Sequence, residues 1–186
     1  MITLGVADGI HLIGHAHVNC YVVEDDDGVT LLDAGLPSMW QMVEEVLARC
    51  RRARAANPRW SKWAWVRIRA RMSTGARREW NVPILVHPGD ERLAAHPYRY
   101  TPQRNRFLYA LTHPRSLPIL ARMAAAGALT VKGVRDVEKL STGTALDVPG
   151  RPVAAHTPGH TDGHCILHLA DRGVVFSGDA LVTLDP

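Results

Sequence analysis

The chain has 186 residues, of which 46% are hydrophobic and 22% charged; that is enough for one domain with a substantial core and too short for two comfortable ones. No apolar run reaches the roughly 18 residues of a membrane span, and Asp8 interrupts the start before any export signal can form, so a cytoplasmic chain with no membrane partner is expected. The formal net charge of +4 belongs to one segment: Arg51 to Trp80 holds ten Lys/Arg against the single acid Glu79, so the remainder is net acidic.

In chain order, His17 to Glu24 is a β-prone run, and Asp25-Asp26-Asp27-Gly28 is a strong turn signal. Val29 to Asp33 reads as the returning, buried strand, which Ala34-Gly35-Leu36-Pro37 breaks. Ser38 is a candidate N-cap for a helix from about Met39 to Arg49, since Met39, Met42, Val43, Val46 and Leu47 fall at helical spacing.

Residues 51–75 follow neither period, and Trp60, Trp63, Trp65 and Trp80 cluster in and just after them. A short helical stretch is expected over Ala76 to Trp80. Val82 to His87 reads as a buried strand ended by Pro88-Gly89, with a helix beginning near Asp90. Residues 96–118, rich in Pro, Arg and Tyr, form an irregular excursion, and Ile119 to Ala126 is helical until Gly127.

The last third returns to strands. Ala145 to Val148 precedes a Pro149-Gly150 turn, and Pro152 to His156 leads into Thr157-Pro158-Gly159-His160. Cys165 to Leu169 and Val174 to Asp179 make a hairpin around Asp171-Arg172-Gly173. Cys20, Cys50 and Cys165 are odd in number and widely spaced, which predicts reduced thiols rather than a disulfide frame or zinc knuckle. The pattern as a whole is α/β, with residues 1–186 as one domain.

Two stretches carry chemistry. In His156-Thr157-Pro158-Gly159-His160-Thr161-Asp162-Gly163-His164 a Pro-Gly turn presents imidazoles, preferred zinc ligands, just beyond a strand. In Phe176-Ser177-Gly178-Asp179 a strand ends in a carboxylate able to bridge cations, beside a glycine that permits close approach. Each alone is weak, because a histidine near a turn is most often a hydrogen-bonded surface residue.

Their order and spacing, together with the opening Leu31-Leu32-Asp33-Ala34-Gly35, resemble the metallo-β-lactamase superfamily over residues 17–50 and 80–185. The resemblance implies an αββα sandwich with a dinuclear zinc site, or iron or manganese, at one edge. It also implies a metal-dependent hydrolase acting on a small-molecule ester, thioester, lactone or lactam. By the same resemblance His160 and Asp179 are metal ligands, while Asp33 and His164 orient loops and ligands from outside the coordination sphere. His15, His17 and His156 are structural, and His87, His96 and His113 match no ligand motif. No residue is assigned as catalytic.

The family's His-x-His-x-Asp-His motif is missing. Its interval, residues 51–79, contains no histidine, and at about its place stands Arg69-Ala70-Arg71-Met72-Ser73-Thr74. A guanidinium has no free lone pair and stays protonated, so it cannot replace imidazole. The family's final histidine and last strand and helix have no counterpart either, so the αββα sandwich is expected to be incomplete at the C-terminus. Two ligands fall short of the three protein groups of a catalytic zinc, which implies impaired or absent activity. Residues 51–75 read as out-of-frame translation of GC-rich DNA, with the pattern resuming near Gly75-Ala76-Arg77-Arg78, as divergence to a non-catalytic member, or as a new binding surface. A nucleic-acid partner on that basic segment is not expected, since a basic run is usually a solvated face. Missing strands would leave an open edge and a marginal or aggregation-prone chain.

Overall fold

Residues 1–33, 35–53, 62–66, 82–99 and 116–181 are described by the structure, a computed structural model; for 51–53 and 62–66 the description is of the backbone. Two sheets carry the molecule. The larger runs β1 (Ile2–Ala7), β2 (Ile10–His15), β3 (Val18–Asp25), β4 (Gly28–Leu32), β5 (Lys62–Val66), β6 (Ile84–Val86) and β7 (Glu138–Lys139), neighbours in that order. The smaller has β9 (Cys165–Leu169) between β10 (Val174–Phe176) and β8 (Val153–His156). Strands β1 to β4 pair antiparallel, whereas β4, β5, β6 and β7 run parallel.

Strand alternation divides the core in two. One set of side chains, including Ile13, Cys20, Val22 and Leu31, faces the helix α1 (Trp40–Ala53), which offers Val43, Val46, Leu47 and Cys50 at helical spacing. The other set, Ile10, Val23 and Leu32, packs against Ala154, Cys165, Leu167, Leu169 and Phe176 of the smaller sheet. The layers are therefore helix, sheet, sheet. Among the described residues no helix covers the outer face of the smaller sheet, where Val175 is 54% exposed. No described helix is long and apolar enough to cross a membrane.

Polar ties lock the sheets together. Thr30, buried on the inner face of β4, donates to the carbonyl of Pro149 at 2.7 Å. The Asp25 carboxylate accepts the Gly150 N–H at 2.8 Å, and Arg172 donates to the Glu24 and Asp8 carbonyls. A buried hydroxyl or carbonyl left unpaired costs more than its bond returns, so these ties also fix which loops can meet.

The strands expected at 29–33, 82–87, 152–156, 165–169 and 174–179 are all present: 165–169 is matched end to end, 29–33 lies one residue earlier, and the other three are shorter by one to three residues. Three expectations need correction. Ser38 is not the N-cap: Pro37–Met39 forms a 3-10 turn capped by Leu36, and α1 starts at Trp40, because proline's fixed φ starts the helical turn earlier. The β pattern begins before His17 with the hairpin β1–β2, whose signal is blurred by an exposed β1 and a bulge between Thr3 and Ala7. Finally, the segment with neither period continues α1 to Ala53 and contains β5, paired on both edges with β4 and β6. The expected helix over 76–80 lies outside the described residues, as does most of the 96–118 excursion; its end is the helix α3 (Leu117–Met123), following α2 (Glu91–Ala95).

Candidate functional site

The ends of β4 and β6 point the same way through their shared parallel neighbour, so Asp33 and His87 reach the same edge of the larger sheet. The smaller sheet meets that edge. Phe176 at the end of β10 contacts Tyr21, the partner of Leu32, with ring centroids 5.0 Å apart. The His156 ring at the end of β8 stacks on His87 at 4.2 Å. The turns bearing His160 and Asp179 therefore gather at one end of the sandwich, near Asp33.

His160 Nε2 lies 3.8 Å from the Asp179 carboxylate, both side chains partly exposed. His164 is buried and joins their loops. Its Nε2 accepts the backbone N–H of Asp179 at 3.2 Å. A backbone N–H can only donate, so the ring proton sits on Nδ1, which faces the Thr157 hydroxyl at 2.9 Å and carbonyl at 3.1 Å. One imidazole thus ties the first residue of the Thr-Pro-Gly-His turn to the carboxylate loop. Gly178, at φ 54°, takes the left-handed conformation that lets β10 turn into the Gly178–Ala180 3-10 turn.

Asp90 was not legible as a site residue. It follows the strand end at Pro88-Gly89, and its carboxylate accepts the Thr161 hydroxyl at 2.6 Å and the Gly163 N–H at 2.9 Å. A Cβ on Gly163 would stand 2.6 Å from the Asp90 nitrogen, and one on Gly89 would stand 2.8 Å from the Asp162 carbonyl oxygen. The two loops touch backbone to backbone, which both glycines permit. The signal available in sequence was an acid after Pro-Gly at a strand end, but nothing local marked its partner 71 residues away.

His87 and His156 are also more than bystanders. His87 Nδ1 accepts the Gly89 N–H at 3.2 Å, and His156 Nε2 donates to the Asp162 carbonyl at 2.8 Å. Burial holds the His87 pKa below its ordinary value, the neighbouring His156 pushes the same way, and Asp90 partly opposes them. Asp33 sits at φ 65° at the end of β4, and its negative charge adds to the burial that raises the Cys20 and Tyr21 pKa values. The structure thus brings His160, His164 and Asp179 together directly and leaves Asp33 at the same edge on the other sheet. His96 only ends α2, while His113 lies outside the described residues.

Ligands of a tetrahedral zinc sit about 2.0–2.2 Å from the ion, so donors 3.8 Å apart can share one cation. Among the described residues, however, no third His, Cys, Asp or Glu donor joins this pair within 4.8 Å. The two residues fit a metal, but as part of a donor set.

The family model described as the metallo-beta-lactamase superfamily matches residues 74–186, more than half of the chain. The chain belongs to this superfamily. The match opens beside Gly75, where the sequence pattern resumes after the basic segment. Among solved structures, the fold is similar to a metallo-beta-lactamase family protein from Thermus thermophilus, at TM-score 0.62 and 20% identity over 96% of this chain and 61% of that one. It is similar to the subclass B3 metallo-beta-lactamase BJP-1 of Bradyrhizobium japonicum, at TM-score 0.57 and 18% identity over 86% and 53%. The class B3 di-zinc metallo-beta-lactamase LRA-12 from an Alaskan soil metagenome gives TM-score 0.54 and 14% identity over 86% and 53%. The chain therefore spans about half to three-fifths of the length of these proteins. No curated protein matches it in sequence.

Proposed function

We propose that this chain is, by descent, a metal-dependent hydrolase of the metallo-β-lactamase superfamily whose metal centre is impaired. The observation that carries the reading is His160 Nε2 at 3.8 Å from the Asp179 carboxylate, on loops that His164 and Asp90 hold in place. That arrangement presents two donors to one point. When bound in such an enzyme, zinc polarises the substrate and activates water for attack on an ester, thioester, lactone or lactam carbonyl. Here the chain's own contribution is the positioning: His164 sets the distance between the two loops, and Asp90 holds the turn that carries His160.

Impairment follows from the donor count. A catalytic zinc takes three protein ligands plus water; this edge offers two among the described residues, and residues 51–79 contain no histidine to complete them. Zinc is the ion proposed, with iron or manganese as substitutes. A small-molecule substrate and a cytoplasmic location complete the proposal, the latter in keeping with three buried cysteines held as thiols. The rival reading, a non-catalytic binding module built on segment 51–80, falls mostly outside the described residues.

The test is elemental analysis of the chain and of a His160→Ala/Asp179→Asn variant, each dialysed against trace zinc. A difference far below one ion per chain is expected. A difference near one ion would overturn the impairment and call for hydrolase assays.

A further inference from the structure

At the opposite edge of the sandwich three donors of different chemistry converge. His11 pairs with Val22 across β2 and β3, and Glu24 follows Val22 by two residues, so both side chains stand on the face of the sheet that α1 covers. Cys50, in the last turns of α1, comes down on them and is 3% exposed. His11 Nε2 is 3.2 Å from the Glu24 carboxylate, and one donor atom from each of the three residues lies within 4.8 Å of the other two. Asp33, at the far end of β4, marks the other edge.

We propose that His11, Glu24 and Cys50 form a second cation site, for a zinc-class divalent ion, separate from the His160–Asp179 edge. An imidazole nitrogen, a carboxylate oxygen and a sulfur make the mixed donor set that such a borderline ion takes, and three protein ligands leave a fourth position for water. Charge favours occupancy. The layer around the cluster is apolar, with Ile13, Val22, Val46 and Leu47, which strengthens the attraction between a cation and its donors. A divalent cation with one carboxylate and one thiolate sums to zero.

Binding has a defined proton balance. Without an ion, His11 Nδ1 accepts the Gly5 N–H at 3.1 Å, which places the ring proton on Nε2. Coordination through Nε2 shifts that proton to Nδ1, and Cys50 gives up its thiol proton to solvent, so one proton is released per ion bound. The Gly5 amide then turns to water; Gly5 is exposed and sits in the bulge between Thr3 and Ala7, where the β1–β2 ladder is already interrupted.

The site stands independently of the hydrolase reading, and its test separates the two. Anaerobic titration of the full chain with Co²⁺ is expected to give a near-ultraviolet thiolate-to-cobalt charge-transfer band that saturates at one ion, with one proton released. Cys50→Ser should abolish the band. Glu24→Gln, which keeps the side-chain shape, should weaken Co²⁺ binding by about tenfold or more with the band still present. The His160→Ala/Asp179→Asn variant should titrate like the parent. Absence of the band in the parent, its survival in Cys50→Ser, or its loss in the His160→Ala/Asp179→Asn variant would each overturn the proposal.

Discussion

His164 Nε2 accepts the backbone N–H of Asp179 across two loops, at 3.2 Å, while Nδ1 of the same ring faces Thr157. The spacing of the candidate ligands His160 and Asp179 thus depends on a third histidine that is 1% exposed. Replacing His164 with Ala leaves the Asp179 N–H and Thr157 without this ring's bonds and opens a cavity. A loss of roughly 2–4 kcal/mol in unfolding free energy is expected. His164→Gln, whose amide oxygen reaches about the position of Nε2, should recover part of it. Urea denaturation of the three proteins measures this, and equal stabilities for Ala and Gln would show that the bond to Asp179 carries little.

Asp90 accepts two bonds from the other loop, one from a hydroxyl at 2.6 Å and one from a backbone N–H at 2.9 Å. Hydrogen bonds to a charged acceptor are each worth about 1.5–3 kcal/mol. Asp90→Ala should therefore destabilise the chain by roughly 2–4 kcal/mol and release the Gly163 amide to rapid hydrogen exchange. Asp90→Asn keeps the shape and one acceptor oxygen, and should fall between. Unchanged exchange at Gly163 in Asp90→Ala would sink the assignment of Asp90 as the clamp.

A methyl group at residue 163 meets backbone rather than a flexible side chain: the Asp90 nitrogen at 2.6 Å, with the Asp90 Cγ at 2.8 Å beside it. Gly163→Ala must push the loops apart, at a cost of about 1–3 kcal/mol. Because both Asp90 bonds stretch together, Gly163→Ala and Asp90→Ala should be strongly non-additive. A double-mutant cycle gives the coupling, and simple additivity would mean that the loops relax independently.

These contacts explain what the sequence could and could not disclose. Motifs local in the chain were readable: Thr157 to His164 as a turn with imidazoles, Gly178-Asp179 as a strand end, and the five-residue β4, mostly apolar and buried at every position, as a strand covered on both faces. Contacts between distant segments were not. Asp90 meets Thr161 and Gly163 across 71 and 73 residues, and the His87–His156 stack joins different sheets. The strand β5 was hidden because it is five residues long in a run of arginines, and its place is set by backbone pairing with β4 and β6. The cluster of His11, Glu24 and Cys50 needs the β2–β3 register and the length of α1 together, neither of which spacing reveals.

Cys20 and Cys165 should be inert in the native state. Burial pushes the Cys165 thiol up to about 11, with Asp90 adding to the shift, and burial together with Asp33 raises Cys20 further. The thiolate is the reactive form, so at pH 8 neither should react with a disulfide reagent over minutes, whereas both should react at once in denaturant. Rapid native labelling of Cys165 would mean that the turn before β9 opens far more readily than its bonds suggest.

The His87–His156 stack gives the fold a direction in its response to acid. His87 has a folded-state pKa below its ordinary value of about 6.5, because the folded environment desolvates it and sets His156 against its face, with Asp90 only partly compensating. A depressed histidine binds its proton more readily in the unfolded chain. The stability tied to neutral His87 is therefore complete above about pH 6.5 and is lost as the pH falls from there through the lower folded-state value. Protonation of His87 also places a positive charge against the His156 ring 4.2 Å away, beside the turn whose Asp162 carbonyl His156 holds. Urea unfolding at a series of pH values from about 7.5 to about 5, spanning the ordinary histidine range, should show stability declining on the acid side. His87→Gln should flatten that decline while costing some stability at neutral pH. A steeper decline in His87→Gln than in the parent would mean that His87 gains, rather than loses, proton affinity on folding.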